Sequence, residues 1–215
     1  MAKKGRAIYL VYTDLADDKH DQEFNAWYDG RHLPQLMAIP GILDAARYVA
    51  VKGGPKYLAA YELESAEVLQ SDAFVNRPRT DQDQRMSPRV IGKNFTSVLG
   101  EQIFPDGREN ADRGMAPVLQ IGRMSVPETV DAEWNAWYNG EYIPGYRTVP
   151  GVIYARRYRV LEGEVGYTTV YEFESERVPE SAAWDYQREH SSPKSHAMRD
   201  AMTMAMGSPG VYKRI

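Results

Sequence analysis

Two hydrophobic periods alternate along this chain. Residues Ala7–Thr13 form a continuous apolar run, which predicts a strand. Acidic residues over Asp17–Asp21 then supply an N-cap. Phe24, Trp27, Tyr28 and Arg31 follow at the i, i+3, i+4, i+7 spacing of one helix face. This helix is expected to end near Pro34, because proline disfavours helical geometry in the residue before it. Pro40–Gly41 marks a turn. Ile42–Val51 and Tyr57–Glu64 are rich in strand formers, and the break at Gly53–Gly54–Pro55 makes them a hairpin. A second helix is expected to begin over Ser65–Asn76, and a fourth strand over Arg89–Phe104. The order is β-α-β-β-α-β.

From Val118 the same order returns. Glu23–Ser65 aligns without a gap on Glu133–Ser175, at a constant offset of 110, and 18 of the 43 positions are identical. The best-matched core reads NAWYDGRHLP in one copy and NAWYNGEYIP in the other. A period of this length is too long for a solenoid, whose units run about 20–50 residues. It is the length of a small domain, so the chain divides into a first repeat (1–104), a linker (105–117) and a second repeat (118–215). In the second copy the first helix opens at Pro127–Glu128 and the hairpin turns at Glu162–Gly163–Glu164. Its second helical region holds 11 extra residues, with His190, His196 and a run of methionines. One copy alone leaves a half-apolar sheet face uncovered, and the other copy supplies its cover. The expected fold class is therefore α+β: two ferredoxin-like βαββαβ repeats closed into one intramolecular, pseudo-dimeric barrel with the helices outside.

Composition narrows the function. The hydrophobic fraction of 43% and charged fraction of 26% are ordinary for a globular protein, and the net charge of −4 gives no basic footprint for nucleic acid. Arg77 and Arg79, like Arg156, Arg157 and Arg159, have acidic residues around them and read as solvated faces or single anion contacts. There are no cysteines, which removes disulfides, thiolate catalysis and Cys-bound metals, and fits a cytoplasmic setting. No window reaches the ~18 apolar residues of a membrane span. The 15 tyrosines suggest a cavity for a flat apolar ligand, beyond those that fill the core.

Differences between the copies mark the candidate chemistry. His32 stands where the second copy has Tyr142, and Tyr28 lies one helical turn before it. A histidine beside a phenol offers a base near neutral pH and a hydrogen-bond donor for a developing oxyanion. Tyr138 and Tyr142 form the matching pair, either a packing relic or a contact to another part of the substrate. Arg47 and Arg157 occupy matched strand positions, each followed by a tyrosine (Tyr48, Tyr158), and adjacent strand residues face opposite ways. Each arginine suits a substrate carboxylate or an ion pair with Glu62/Glu172 or Glu64/Glu174, and conservation between the copies favours the ion pair. His190 and His196 are six apart with Ser191–Ser192–Pro193 between them, not the spacing of a metal site on one helix face. No phosphate loop, Ser-His-Asp framework or dinucleotide fingerprint is present.

Trp27, Tyr28, His32, Pro34, Pro40 and Gly41, matched by Trp137, Tyr138, Tyr142, Pro144, Pro150 and Gly151, resemble the dimeric α+β barrel superfamily, and within it the EthD-like branch. The resemblance spans both halves. It implies the barrel fold, a small-molecule substrate and a range of reactions: monooxygenation, isomerisation, cyclisation, decarboxylation, or stress response without known chemistry. In heme-using members a second-helix histidine is the axial ligand, which puts His190 or His196 forward for that role. The expected function is cofactor-independent acid/base chemistry, as a lyase or isomerase, on an aromatic or polyketide-like molecule. His32 and Tyr28 would be catalytic, with Trp27, Arg47, Tyr48, Tyr138, Tyr142, Arg157, His190 and His196 around the substrate. A monooxygenase, cofactor-free or heme-using, is the alternative, followed by a non-catalytic binding protein. No metal, nucleic acid or membrane partner is expected; a homodimer is allowed.

Overall fold

The computed structural model describes residues 2–107 and 112–215, so the expected linker lies partly outside the described residues. The first half runs β1 (Ala7–Leu15), α1 (Asp21–Trp27), α2 (Leu33–Met37), β2 (Ile42–Lys52), β3 (Tyr57–Leu63), α3 (Asp72–Val75), α4 (Asp81–Arg85), α5 (Pro88–Ile91) and β4 (Gly92–Phe104). The second runs β5 (Val118–Ser125), α6 (Asp131–Trp137), α7 (Ile143–Arg147), β6 (Val152–Glu162), β7 (Tyr167–Phe173), α8 (Ala182–Glu189), α9 (Pro193–Asp200), β8 (Thr203–Met204) and β9 (Gly210–Arg214). Among these, eight strands close an antiparallel barrel in the order β7-β6-β4-β1-β3-β2-β9-β5, and β5 returns to β7. The two seams between halves are β4–β6 and β2–β9.

The expected end of the first helix at Pro34 is corrected. A π-turn over Tyr28–His32 joins α1 to α2, and the Leu33 N–H reaches the Tyr28 carbonyl five residues back. In a regular α-helix the Pro34 ring would crowd the carbonyl of Gly30; the wide turn relieves this and the helix runs on to Met37. The second copy repeats the device at Tyr138–Tyr142, ahead of Pro144. Chain reversal then follows at Gly41 (φ 90°) and Gly151 (φ 86°), a conformation glycine adopts freely. The single helix expected from Ser65 is instead a series of short pieces, and β4 starts at Gly92 because Pro88 opens α5 over the preceding residues. Pairing also reveals a one-residue shift. Ala7 faces Leu63 where Val118 faces Phe173, so the first strands are related by 111 positions rather than 110.

Three cores result. Ile8, Leu10, Tyr12, Tyr48, Tyr158 and Tyr212 fill the barrel. Phe24, Trp27, Tyr28 and Leu36 pack the first pair of helices onto its outer face, and Trp134, Trp137, Tyr146 and Trp184 pack the second. The barrel also holds a buried quartet of charges. Lys4 Nζ lies 2.6 Å from Glu172 Oε1 and 3.9 Å from Glu62 Oε1. Arg156 donates through Nη1 to Glu62 Oε2 at 3.0 Å, through Nη2 to Glu62 Oε1, and through Nη2 to Glu172 Oε1 at 3.4 Å. The expectation that Arg47 and Arg157 pair with these glutamates is corrected: the partner is Arg156, which faces inward. Arg47 and Arg157 face outward beneath the helices.

Candidate active site

The π-turn presents Trp27, Tyr28 and His32 on one surface of the first helix. The His32 ring stacks on Trp27 with centroids 4.6 Å apart and meets the edge of Tyr28 at 4.8 Å. Behind it, Tyr28 Oη and Tyr61 Oη are 2.9 Å apart. One proton is spent in that pair, which leaves the other phenol O–H to donate to a ligand. Burial pushes the Tyr28 phenol up to about 12, so it is a donor rather than a base at neutral pH. Among the described residues nothing hydrogen-bonds either ring nitrogen of His32. Burial, then the Arg77 guanidinium, bring the imidazole down to about 4. His32 is therefore neutral at pH 7, with an open acceptor nitrogen, rather than about a quarter protonated as the ordinary value near 6.5 would make it.

A carboxylate fixes this wall. Asp83 Oδ1 accepts from Trp27 Nε1 at 2.9 Å and Arg31 Nε at 2.7 Å, while Oδ2 accepts from Arg31 Nη2 at 2.8 Å and the Thr80 amide at 2.7 Å. Thr80 caps α4 and so places Asp83 on its first turn. The Arg31 fork holds the Asp83 carboxyl far below the usual range.

Two adjoining cavities open against His32. The outer one, about 430 Å³, is lined by Trp27, His32, Gln35, Arg77, Arg79 and Arg89 among others. The inner one, about 110 Å³, is bounded by Tyr9, Tyr28, Tyr61, Phe74 and Phe95, and shares His32, Arg77 and Arg89 with the outer. Together they have the size and mixed lining of a small-molecule site.

In the second half this space is filled. Leu36 is replaced by Tyr146 and Phe74 by Trp184, whose rings lie 4.3 Å apart, and Tyr142 packs 4.7 Å from Tyr146 and 4.6 Å from Tyr138. Trp137 Nε1 donates to Ser195 Oγ at 2.8 Å, and Ser195 Oγ donates to Glu141 at 2.5 Å. This copies the Trp27–Asp83–Arg31 link with different residues.

The other sequence candidates are dispersed. Arg47 lies over the Tyr28 ring at 4.5 Å and donates to Asp29 at 2.9 Å and Asn25 at 2.6 Å, so it holds Tyr28 rather than facing the cavity beside His32. Arg157 does the same with Tyr138, Asn135 and Asn139. Tyr48 lies inside the barrel and donates to the Ala116 carbonyl at 2.9 Å, away from His32. His190 stacks on the exposed Tyr186 and His196 meets Arg199 at the surface. A heme does not fit here: both histidines are exposed, and Trp184 and Tyr146 occupy the space between helices and sheet. Among the described residues no cluster of three metal-ligating side chains occurs, and no helix is long and apolar enough to cross a membrane. Sequence reasoning missed Arg89, Tyr9 and Tyr61, and it named Arg77 and Arg79 only as solvated faces or single anion contacts, not as walls of this cavity. The exchange of Leu36 for Tyr146 within the aligned repeat was the available signal for which half stays open.

No protein-family model and no curated protein sequence matches the chain. Solved structures do. An anthrone oxidase-like protein superposes with TM-score 0.64 at 12% identity, covering 100% of this chain and 94% of that one. A protein from Fusobacterium nucleatum described as a candidate monooxygenase gives 0.60 at 10%, covering 98% and 93%. A chlorite dismutase variant from Candidatus Nitrospira defluvii gives 0.60 at 11%, covering 98% and 91%. The fold is the dimeric α+β barrel. This barrel carries both of its halves in one polypeptide, and the first half keeps a cavity beneath its helices where Tyr146 and Trp184 fill the matching space of the second.

Proposed function

We propose that the first half is an enzyme site that binds a small, flat aromatic molecule and moves a proton on it. The observation that carries this reading is the neutral His32 nitrogen, unpartnered among the described residues and facing a cavity walled by aromatic rings. His32 takes the proton from a carbon or oxygen acid, and the Tyr28–Tyr61 pair donates to the oxyanion that develops. Trp27 and Phe74 bound the flat body of the substrate, and Asp83 and Arg47 position the wall. Isomerisation, cyclisation and elimination can each begin with this proton abstraction, and decarboxylation would use the same oxyanion donors, with a proton then delivered to the carbon that loses carbon dioxide. The second half contributes barrel closure rather than a second site.

Likeness to proteins described as monooxygenases and as anthrone oxidase-like supports a second reading on the same residues, in which the deprotonated substrate reacts directly with dioxygen. An oxygen electrode separates the two: turnover that continues under argon supports proton transfer alone, and stoichiometric oxygen uptake supports oxygenation. Under either reading His32→Ala is expected to lower turnover by roughly 10²–10⁴-fold with little change in melting temperature. His32→Tyr copies the residue that the second half holds at Tyr142, so it should fold and be nearly inactive. Near-normal turnover in His32→Tyr would remove His32 from the mechanism.

A further inference from the structure

The outer cavity carries positive charge that no carboxylate among the described residues is left to balance. Arg31 is neutralised by Asp83, and Arg85 lies 3.7 Å from Glu23. Asp83 itself is saturated, with both oxygens taken by Trp27, Arg31 and Thr80. Arg77, Arg79 and Arg89 remain, and among the described residues none has a carboxylate within ion-pair distance. In a chain of net charge −4, three such guanidinium groups around one cavity are a local inversion of sign. Two of them are also held in place. Arg77 lies 4.2 Å over the Phe74 ring and donates to the Phe74 carbonyl, and Arg89 lies 4.5 Å over Phe95. Stacking on a ring leaves the edge of the guanidinium fork free to meet a carboxylate.

We infer that the substrate is a planar aromatic acid, bound as its carboxylate by Arg77, Arg79 and Arg89 with its ring directed inward past His32. This rests on the reading of the cavity as the substrate site. The arrangement also couples binding to chemistry. Arg77 and Arg79 disfavour a proton on His32, so a substrate anion that neutralises them makes His32 a stronger base only when the site is filled.

The test is calorimetric titration with 2-naphthoate and its neutral analogue 2-naphthamide. Naphthoate is expected to bind at least roughly tenfold more tightly, as charge-assisted hydrogen bonds allow. Its affinity should fall as salt rises, while that of naphthamide should not. Arg77→Gln and Arg89→Gln should each erase most of the difference without weakening naphthamide, and Arg77→Lys should restore part of it. Equal affinity of the two ligands for the unmodified protein overturns the inference and leaves the aromatic site standing. Binding of neither overturns both. Tight naphthoate binding together with an indifferent His32→Ala variant keeps the inference and removes the acid/base reading.

Discussion

Burial and Arg77 hold His32 near a pKa of 4, against about 6.5 for the ordinary side chain. Between these values the unfolded chain takes up a proton that the native ring refuses, so stability is complete above pH 6.5 and lost as the pH falls toward 4. For this ring, partly open to solvent, the loss by pH 5 should be on the order of 1–2 kcal/mol. Urea unfolding at pH 7.5 and 5.0 checks it: His32→Gln should lose that much less on acidification than the parent. An unchanged difference would mean that His32 titrates normally. At this scale the sequence pointed to His32 and Tyr28 through the mismatch with Tyr142. It gave Arg77 and Arg79 only as solvated faces or single anion contacts, with no cavity attached to them. Neighbouring acids made them look solvated, and only the fold shows that Asp83 spends itself on Arg31.

The π-turn is the element on which the site depends. Successive residues of an α-helix are rotated by about 100°, so one inserted residue decides which side chains share a face. Deleting Gly30, which is exposed and meets nothing, should restore regular α geometry and drive Tyr28 or His32 off the cavity wall. Far-UV circular dichroism should change little while naphthoate binding and turnover are lost. Deleting Gly140 at the matching turn should leave turnover intact if the second half only packs. Equal damage from the two deletions would argue for a second working site. The amphipathic stripe of the first helix was legible from its spacing. The wide turn was not, since Pro34 reads as a stop unless the i→i−5 bond of Leu33 is known. The short helices α3–α5 escaped notice for a related reason. Pro78 and Pro88 break the helix, and where each piece turns is set by packing on the sheet rather than by local pattern.

Across the whole molecule the barrel was legible, because a repeat with one uncovered sheet face requires its partner. What its interior would hold was not, because Lys4 and Arg156 have no charged counterparts in the other copy. Removing Arg156 leaves two buried carboxylates against one ammonium, and Arg156→Met should cost about 3–5 kcal/mol. Adding Glu62→Gln restores neutrality and should recover much of that loss in chemical denaturation; an additive pair of penalties would show that the quartet is not coupled. A chain ending near residue 104 should be insoluble or self-associate, whereas a stable monomeric first half would contradict the shared barrel. The position of β9 bears on how such a molecule is made. This strand lies between β2 and β5, and it is the last of the eight to leave the ribosome. Until Gly210–Arg214 emerges, β2 of the first half and β5 of the second both present bare hydrogen-bonding edges. The open edges face each other within one nascent chain, but neighbouring chains on a polysome carry the same ones. Folding therefore passes through an interval in which pairing between chains competes with closure, and that interval lasts until β9 is free to pair with β2 and β5.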